Sequence, residues 1–234
     1  MNYLDSTPQN KQFLVTNNDV FEKIKQYNQQ VADHMITCLI GPCSRCNNTP
    51  DHFRRHELRK RQFRVIADEI VHFVLGLLIR WKCPGCNKSF TQYPDFALPY
   101  KRYILPDMMR YAERYLEDEQ MSYSRLVIKW VAGYERHPGD ESQLWPSTIH
   151  RWISTIGGLR RVYAKAQEVI HQKNPSSGLT RYLAKLTVSC RKFKTVHRQN
   201  ILTACLRIVH VERIFNHIFQ TSIFFKIAPT YGYS

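Results

Sequence analysis

The chain has 234 residues, of which 34 are basic and 19 acidic, for a formal net charge of +15 and a pI near 9.6. That excess favours a polyanionic partner, nucleic acid first and an anionic membrane surface second, over acidic ligands. A hydrophobic fraction of 43% is ordinary and permits a buried core.

Asp19 to Val31 places Val20, Phe21, Ile24, Tyr27 and Val31 on one helical face, behind a polar arm over residues 1–17. Two Cys-x-x-Cys pairs follow, Cys43/Cys46 and Cys83/Cys86. Four thiolates in two close pairs suit one tetrahedral Zn²⁺. Two intervening residues let one tight turn aim both sulfurs at one metal. In the second pair Pro84 fixes φ and Gly85 tolerates φ > 0. A redox dithiol or a set of buried free cysteines is the plainer alternative. A long β-hairpin absorbs the spacer between the pairs. His52 to Val65 reads as its first strand, Asp68–Glu69 as the turn, and Val71 to Lys82 as the second. On that second strand Val71, Phe73, Leu75, Leu77, Ile79 and Trp81 fall on one face. His52 and His56 lie near the first pair, but four cysteines already close a structural site, so both read as surface residues.

Ser89 to Tyr103 contains Pro94 and Pro99 and reads as an extended connector whose aromatics pack on the hairpin. Pro106 to Gln120 is a helix with Met108, Ala112, Tyr115 and Leu116 inward. Ser122 caps a second helix, with Leu126, Val127, Trp130 and Val131 inward. Gly133 to Trp145 is a polar loop. Ser147 caps a third helix with Ile149, Trp152, Ile153 and Ile156 inward, stopped by Gly157-Gly158. Leu159 to Ile170, Leu179 to Thr195 and Asn200 to Phe219 complete a basic helical tail. The expectation is an α+β chain in four parts: an arm and helix over 1–36, a zinc ribbon over 37–103, a helix-turn-helix over 104–158 and the tail over 159–234.

Three surfaces carry candidate nucleic-acid contacts. The first is the hairpin, with Arg54, Arg55, Arg59, Lys60, Arg61 and Arg64, continued by Lys101 and Arg102. Charged edge strands also arise simply to resist aggregation. The second is the outward side of the third helix, Thr148, His150, Arg151, Ser154 and Thr155, which suits a major groove. A helical bundle that binds nothing would show the same periodicity. The third is the tail, where residues 157–234 hold thirteen basic and two acidic residues. There Arg181, Lys185, Arg191, Lys192, Lys194 and Arg198 form no single stripe. No phosphate loop, His-Glu-x-x-His or nucleophile elbow is present, so no enzymatic activity is expected.

Met1 to Asp5 shows no basic n-region and no apolar h-region, the cysteine total is odd at seven, and the most apolar run, Val71 to Trp81, is interrupted by His72 and Arg80 and too short to span a bilayer. These features lead to the expectation of a cytoplasmic protein with no membrane partner.

Cys43-x-x-Cys46, Phe53-Arg54-Arg55-His56, Leu78-Ile79-Arg80-Trp81-Lys82-Cys83-Pro84-Gly85-Cys86 and Ser89-Phe90-Thr91 resemble the transposase-like zinc-binding ribbons. These occur in insertion-sequence transposases and in mobile-element-associated bacterial proteins. Leu98 to Tyr103 and Ser147 to Ile153 extend the resemblance over about residues 38–156. In full transposases an acidic RNase-H-like catalytic domain follows; here a basic tail follows. The resemblance implies end recognition or accessory binding of double-stranded DNA, with a transposase or other mobile-element protein as partner. A transposase fragment lacking its catalytic subunit, or an RNA- or ribosome-associated ribbon, are the alternatives.

Overall fold

The structure is a computed structural model, and it describes residues 17–67, 70–127 and 144–227. Most of the polar arm, the Asp68–Glu69 turn, Trp130 and Val131, and all but the end of the loop before Trp145 lie outside the described residues. The architecture is α+β, with one three-stranded antiparallel sheet and eight α-helices among the described residues.

Helix α1 (Asn17–Ala32) precedes a long hairpin of β1 (Arg54–Ala67) and β2 (Ile70–Lys82). The two strands pair from Arg54↔Lys82 to Ala67↔Ile70, with one irregularity between Arg55 and Glu57. Short β3 (Ser89–Gln92) pairs only with Ile79 to Lys82. The rest of that β2 edge would present unpaired backbone groups. Asn28 of α1 covers them: its side-chain amide donates to the Leu75 carbonyl and accepts from the Leu77 N–H, both at 2.9 Å.

The expected apolar face of β2 is buried in part. Ile79 and Trp81 are buried, whereas Phe73 and Leu75 are 37% and 53% exposed. Leu78, on the opposite face, is buried instead. The reason is that α1 lies along the strand edge and reaches both faces. Val20 and Ile24 join Phe63, Val65, Leu78, Phe96 and Ile104 in one cluster. Val31 joins Phe53, Ile79, Trp81, Cys43 and Cys83 in another. On the first of these faces Phe63 lies over Gly76, where a Cβ would sit 2.5 Å from the ring.

The larger core belongs to the helices. It unites α2 (Leu105–Glu117), α3 (Tyr123–Leu126), α4 (Pro146–Gly157), α5 (Arg160–Lys173), α6 (Leu179–Lys185), α7 (Val196–Phe219) and α8 (Ile223–Lys226). The described residues of 104–158 and of 159–227 therefore share one core. Ser122 caps α3 by accepting from Arg125 N–H, as expected, but α3 is a single turn: Val127, expected within this helix, is already extended at φ −68° and ψ 140°. Trp145 rather than Ser147 is the N-cap of α4, with Pro146 in its first turn. α6 stops at Lys185, well short of Thr195. α7 begins at Val196 because Thr195 caps it, accepting from Arg198 N–H.

Asp107 fastens sheet to helices. Its Oδ2 accepts from Ile66 N–H at 2.7 Å. Arg110 donates both to its Oδ1 and to the Ile66 carbonyl.

Candidate metal centre and nucleic-acid interface

The cysteine pairs sit at the base of the hairpin in two near-identical knuckles. Cys43 N–H donates to the Asn48 carbonyl and Asn47 N–H to the Cys43 carbonyl. In the second knuckle Cys83 N–H donates to the Lys88 carbonyl and Asn87 N–H to the Cys83 carbonyl. Asn47 and Asn87 both adopt φ 60°. Left-handed conformation thus falls on the residue after each second cysteine, where asparagine tolerates it. Gly85 does not take it, so the turn does not need glycine there for its φ.

All four sulfurs lie within 4.8 Å of one another. Cys43 Sγ is 3.4 Å from Cys86 Sγ, and Cys46 Sγ is 3.4 Å from Cys83 Sγ. Tetrahedral thiolates at ~2.3 Å from a zinc ion are ~3.8 Å apart, inside this span. The donor set can therefore hold a metal ion. Among the described residues no histidine joins it; His52 shares a hydrogen bond with Thr49 Oγ1 at 2.9 Å.

Backbone donors already favour thiolates. Burial pushes the Cys43 thiol up, but the N–H groups of Arg45 and Cys46, helped by facing sulfurs, bring it down to about 6. At Cys83 burial is likewise outweighed, by the N–H groups of Cys86 and Gly85 and the Cys46 sulfur, and the thiol is lowered. At Cys46 the Asn48 N–H favours the thiolate, yet the facing Cys83 sulfur, burial and the other two sulfurs push it up to about 12. Four sulfurs this close cannot all ionise without a cation among them. A divalent cation removes that conflict.

The hairpin cations separate into groups. Arg54 is exposed. Arg55 is half-buried and caps α1, donating to the Val31 carbonyl at 2.6 Å and bonding His34. Arg64 lies between the Phe73 and Tyr103 rings. Arg59, Lys60, Arg61 and Arg102 come together, lining a cleft of about 570 Å³ with Tyr93 and Tyr100. Arg61 donates to Tyr93 Oη and to the Lys101 carbonyl, which fixes it in the cleft wall. Glu57 accepts from Arg80 and Arg59, whose guanidiniums hold its carboxyl below the usual range.

On α4 the orientation is as expected. Ile149, Trp152, Ile153 and Ile156 are buried; His150 and Arg151 are exposed and Thr148 half-buried. Ser154 and Thr155 spend their hydroxyls on the carbonyls of His150 and Arg151. In the tail, Arg198 donates to Ser154 Oγ and Tyr123 Oη, and Lys192 donates to the Asp118 and Met121 carbonyls. These two tail cations are tied into the fold.

Composition alone does not single out Tyr100. The other connector aromatics are covered, Phe96 and Tyr103 fully and Phe90 and Tyr93 in part, but Tyr100 is 89% exposed. The Pro99-Tyr100 sequence between two buried stretches is the signal that could have found it.

No family model, curated protein or solved structure matches the chain. Among the described residues no helix is long and apolar enough to cross a membrane.

Proposed function

We propose that this is a non-catalytic, sequence-specific DNA-binding protein: a zinc ribbon with one structural Zn²⁺ on its four cysteines, joined to a helix-turn-helix, serving a mobile element as accessory or regulator. The observation that carries the reading is the division of α4 into a face buried by Ile149, Trp152, Ile153 and Ile156 and an exposed face bearing His150 and Arg151. A helix packed on one side, with short polar side chains and one arginine on the other, suits a major groove. Four cysteines leave no open coordination position, so the metal holds structure rather than performing chemistry. The basic hairpin supplies phosphate contacts that position the helix without reading sequence.

Selection of bound duplexes from random sequence tests this. A preferred motif should emerge. Arg151→Ala should flatten the preference at one base pair by about 1–3 kcal/mol while the protein stays folded. Recovery of unselected sequence would remove the sequence-specific reading.

A further inference from the structure

The cleft beside β1 has a feature that duplex binding does not use. Leu98, Pro99, Tyr100 and Lys101 form a turn closed by Lys101 N–H on the Leu98 carbonyl at 3.2 Å. Tyr100 occupies its third position at φ 62°, where glycine or asparagine is the usual residue. A bulky residue there is held against its own backbone preference. The turn is anchored on both sides: Leu98 is buried, and Arg102 and Ile104 bond the backbone of Arg64 on the outer edge of β1. A strained, anchored turn therefore holds an aromatic ring almost wholly in water, on the wall of a cleft that also carries Arg59, Lys60, Arg61 and Arg102.

We propose that this cleft binds single-stranded nucleic acid, with Tyr100 stacking one unpaired base and the exposed Lys60 and Arg102 following the phosphates. The assignment rests on the nucleic-acid reading above and narrows one part of it. Cations alone would serve any polyanion. The exposed ring adds a surface on which a flat group can stack, and a nucleotide strand supplies both phosphates and such a face. In a duplex the base faces are stacked on one another and closed to Tyr100, whereas an unpaired base offers one. Neither the ring nor the guanidiniums address a 2′-hydroxyl, so DNA and RNA strands share the required chemistry.

The test is fluorescence anisotropy with labelled oligothymidylate and oligouridylate of about 15 nucleotides, alongside a blunt duplex. Tyr100→Gly is the decisive variant because φ 62° suits glycine, so the fold should be kept and the thermal midpoint unchanged or raised. It should weaken single-strand binding about 5- to 150-fold, equivalent to the ~1–3 kcal/mol of one stacked base, with no change for the duplex. Tyr100→Trp should retain or strengthen binding. Lys60→Gln with Arg102→Gln should lower the salt slope for single strands by about 0.7 per contact. The tighter of the two oligonucleotides identifies the natural strand. Equal single-strand affinity for wild type and Tyr100→Gly would overturn the proposal. Binding to duplex alone would overturn it too and leave the duplex reading standing. Tyr100-dependent single-strand binding without any duplex motif would uphold it and remove the duplex reading.

Discussion

Asp107 is the residue at which the two halves of the molecule meet, and its protonation is coupled to folding. Burial raises its carboxyl to about 6, although Ile66 N–H and Arg110 both favour the ionised form. Unfolded, an aspartate titrates near ~3.9. The folded chain therefore binds this proton more tightly. The stabilisation it brings is complete below about pH 4 and is lost as pH rises through about 6. Asp107→Asn imitates the protonated group. Denaturant titrations from pH 4 to 6 should show wild-type stability changing more negatively with pH than the variant's, by up to about 1.4 kcal/mol per pH unit. Parallel curves would show that the carboxyl is not perturbed. Gly157 is a second such residue, and its role is steric. A Cβ there would lie 2.4 Å from the Ile201 carbonyl oxygen on α7. Gly157→Ala should therefore force α4 and α7 apart and destabilise by about 1–3 kcal/mol in equilibrium unfolding. A neutral substitution would mean that the helices separate at no cost. The sequence announced Gly157 only as a helix stop, because close approach depends on a partner 44 positions away and leaves no local mark.

At the scale of elements, legibility followed periodicity. The α4 stripe of Ile149, Trp152, Ile153 and Ile156 was readable because all four pack on one side. The hairpin was readable from the cysteine pairs and from the alternation of Val71 to Trp81. Its burial was not, since α1 wraps one edge and covers different faces at different heights. The end of α6 was also hidden: Leu186, Val188 and Phe193 stay apolar past it and pack on the core from irregular backbone. The cysteine cluster was the clearest part of the site, and it predicts a metal dependence confined to one region. Cys43 and Cys83 are core members with Phe53, Ile79 and Trp81. Bound zinc supplies apparent folding free energy of about 10–16 kcal/mol in small ribbons. Chelation should abolish hydrogen-exchange protection in the lower half of the β1–β2 hairpin, while α7, in a separate core, keeps its protection. A sheet as protected after chelation as before would show that the four thiols need no metal.

At the scale of the whole molecule, the fold divides the charge that the composition only totals. The net charge of +15 is concentrated in the cysteine module with its hairpin and in the tail, and the fold keeps part of it for itself. Arg55, Arg61, Arg64, Lys192 and Arg198 are engaged with carbonyls, rings or hydroxyls. Arg54, Lys60, Arg102 and Arg151 remain exposed. Sequence could count these cations but could not divide them, because the partners of Arg55, Arg61 and Arg198 come from distant segments. The salt dependence of duplex binding tests the central claim most directly. The logarithm of the affinity should fall linearly with the logarithm of salt concentration. Arg54→Gln with Lys60→Gln should reduce that slope by about 0.9 for each lost phosphate contact, with the thermal midpoint unchanged. A slope near zero in the wild-type protein, or an unchanged slope in the double variant, would contradict a hairpin that lies along nucleic-acid phosphates.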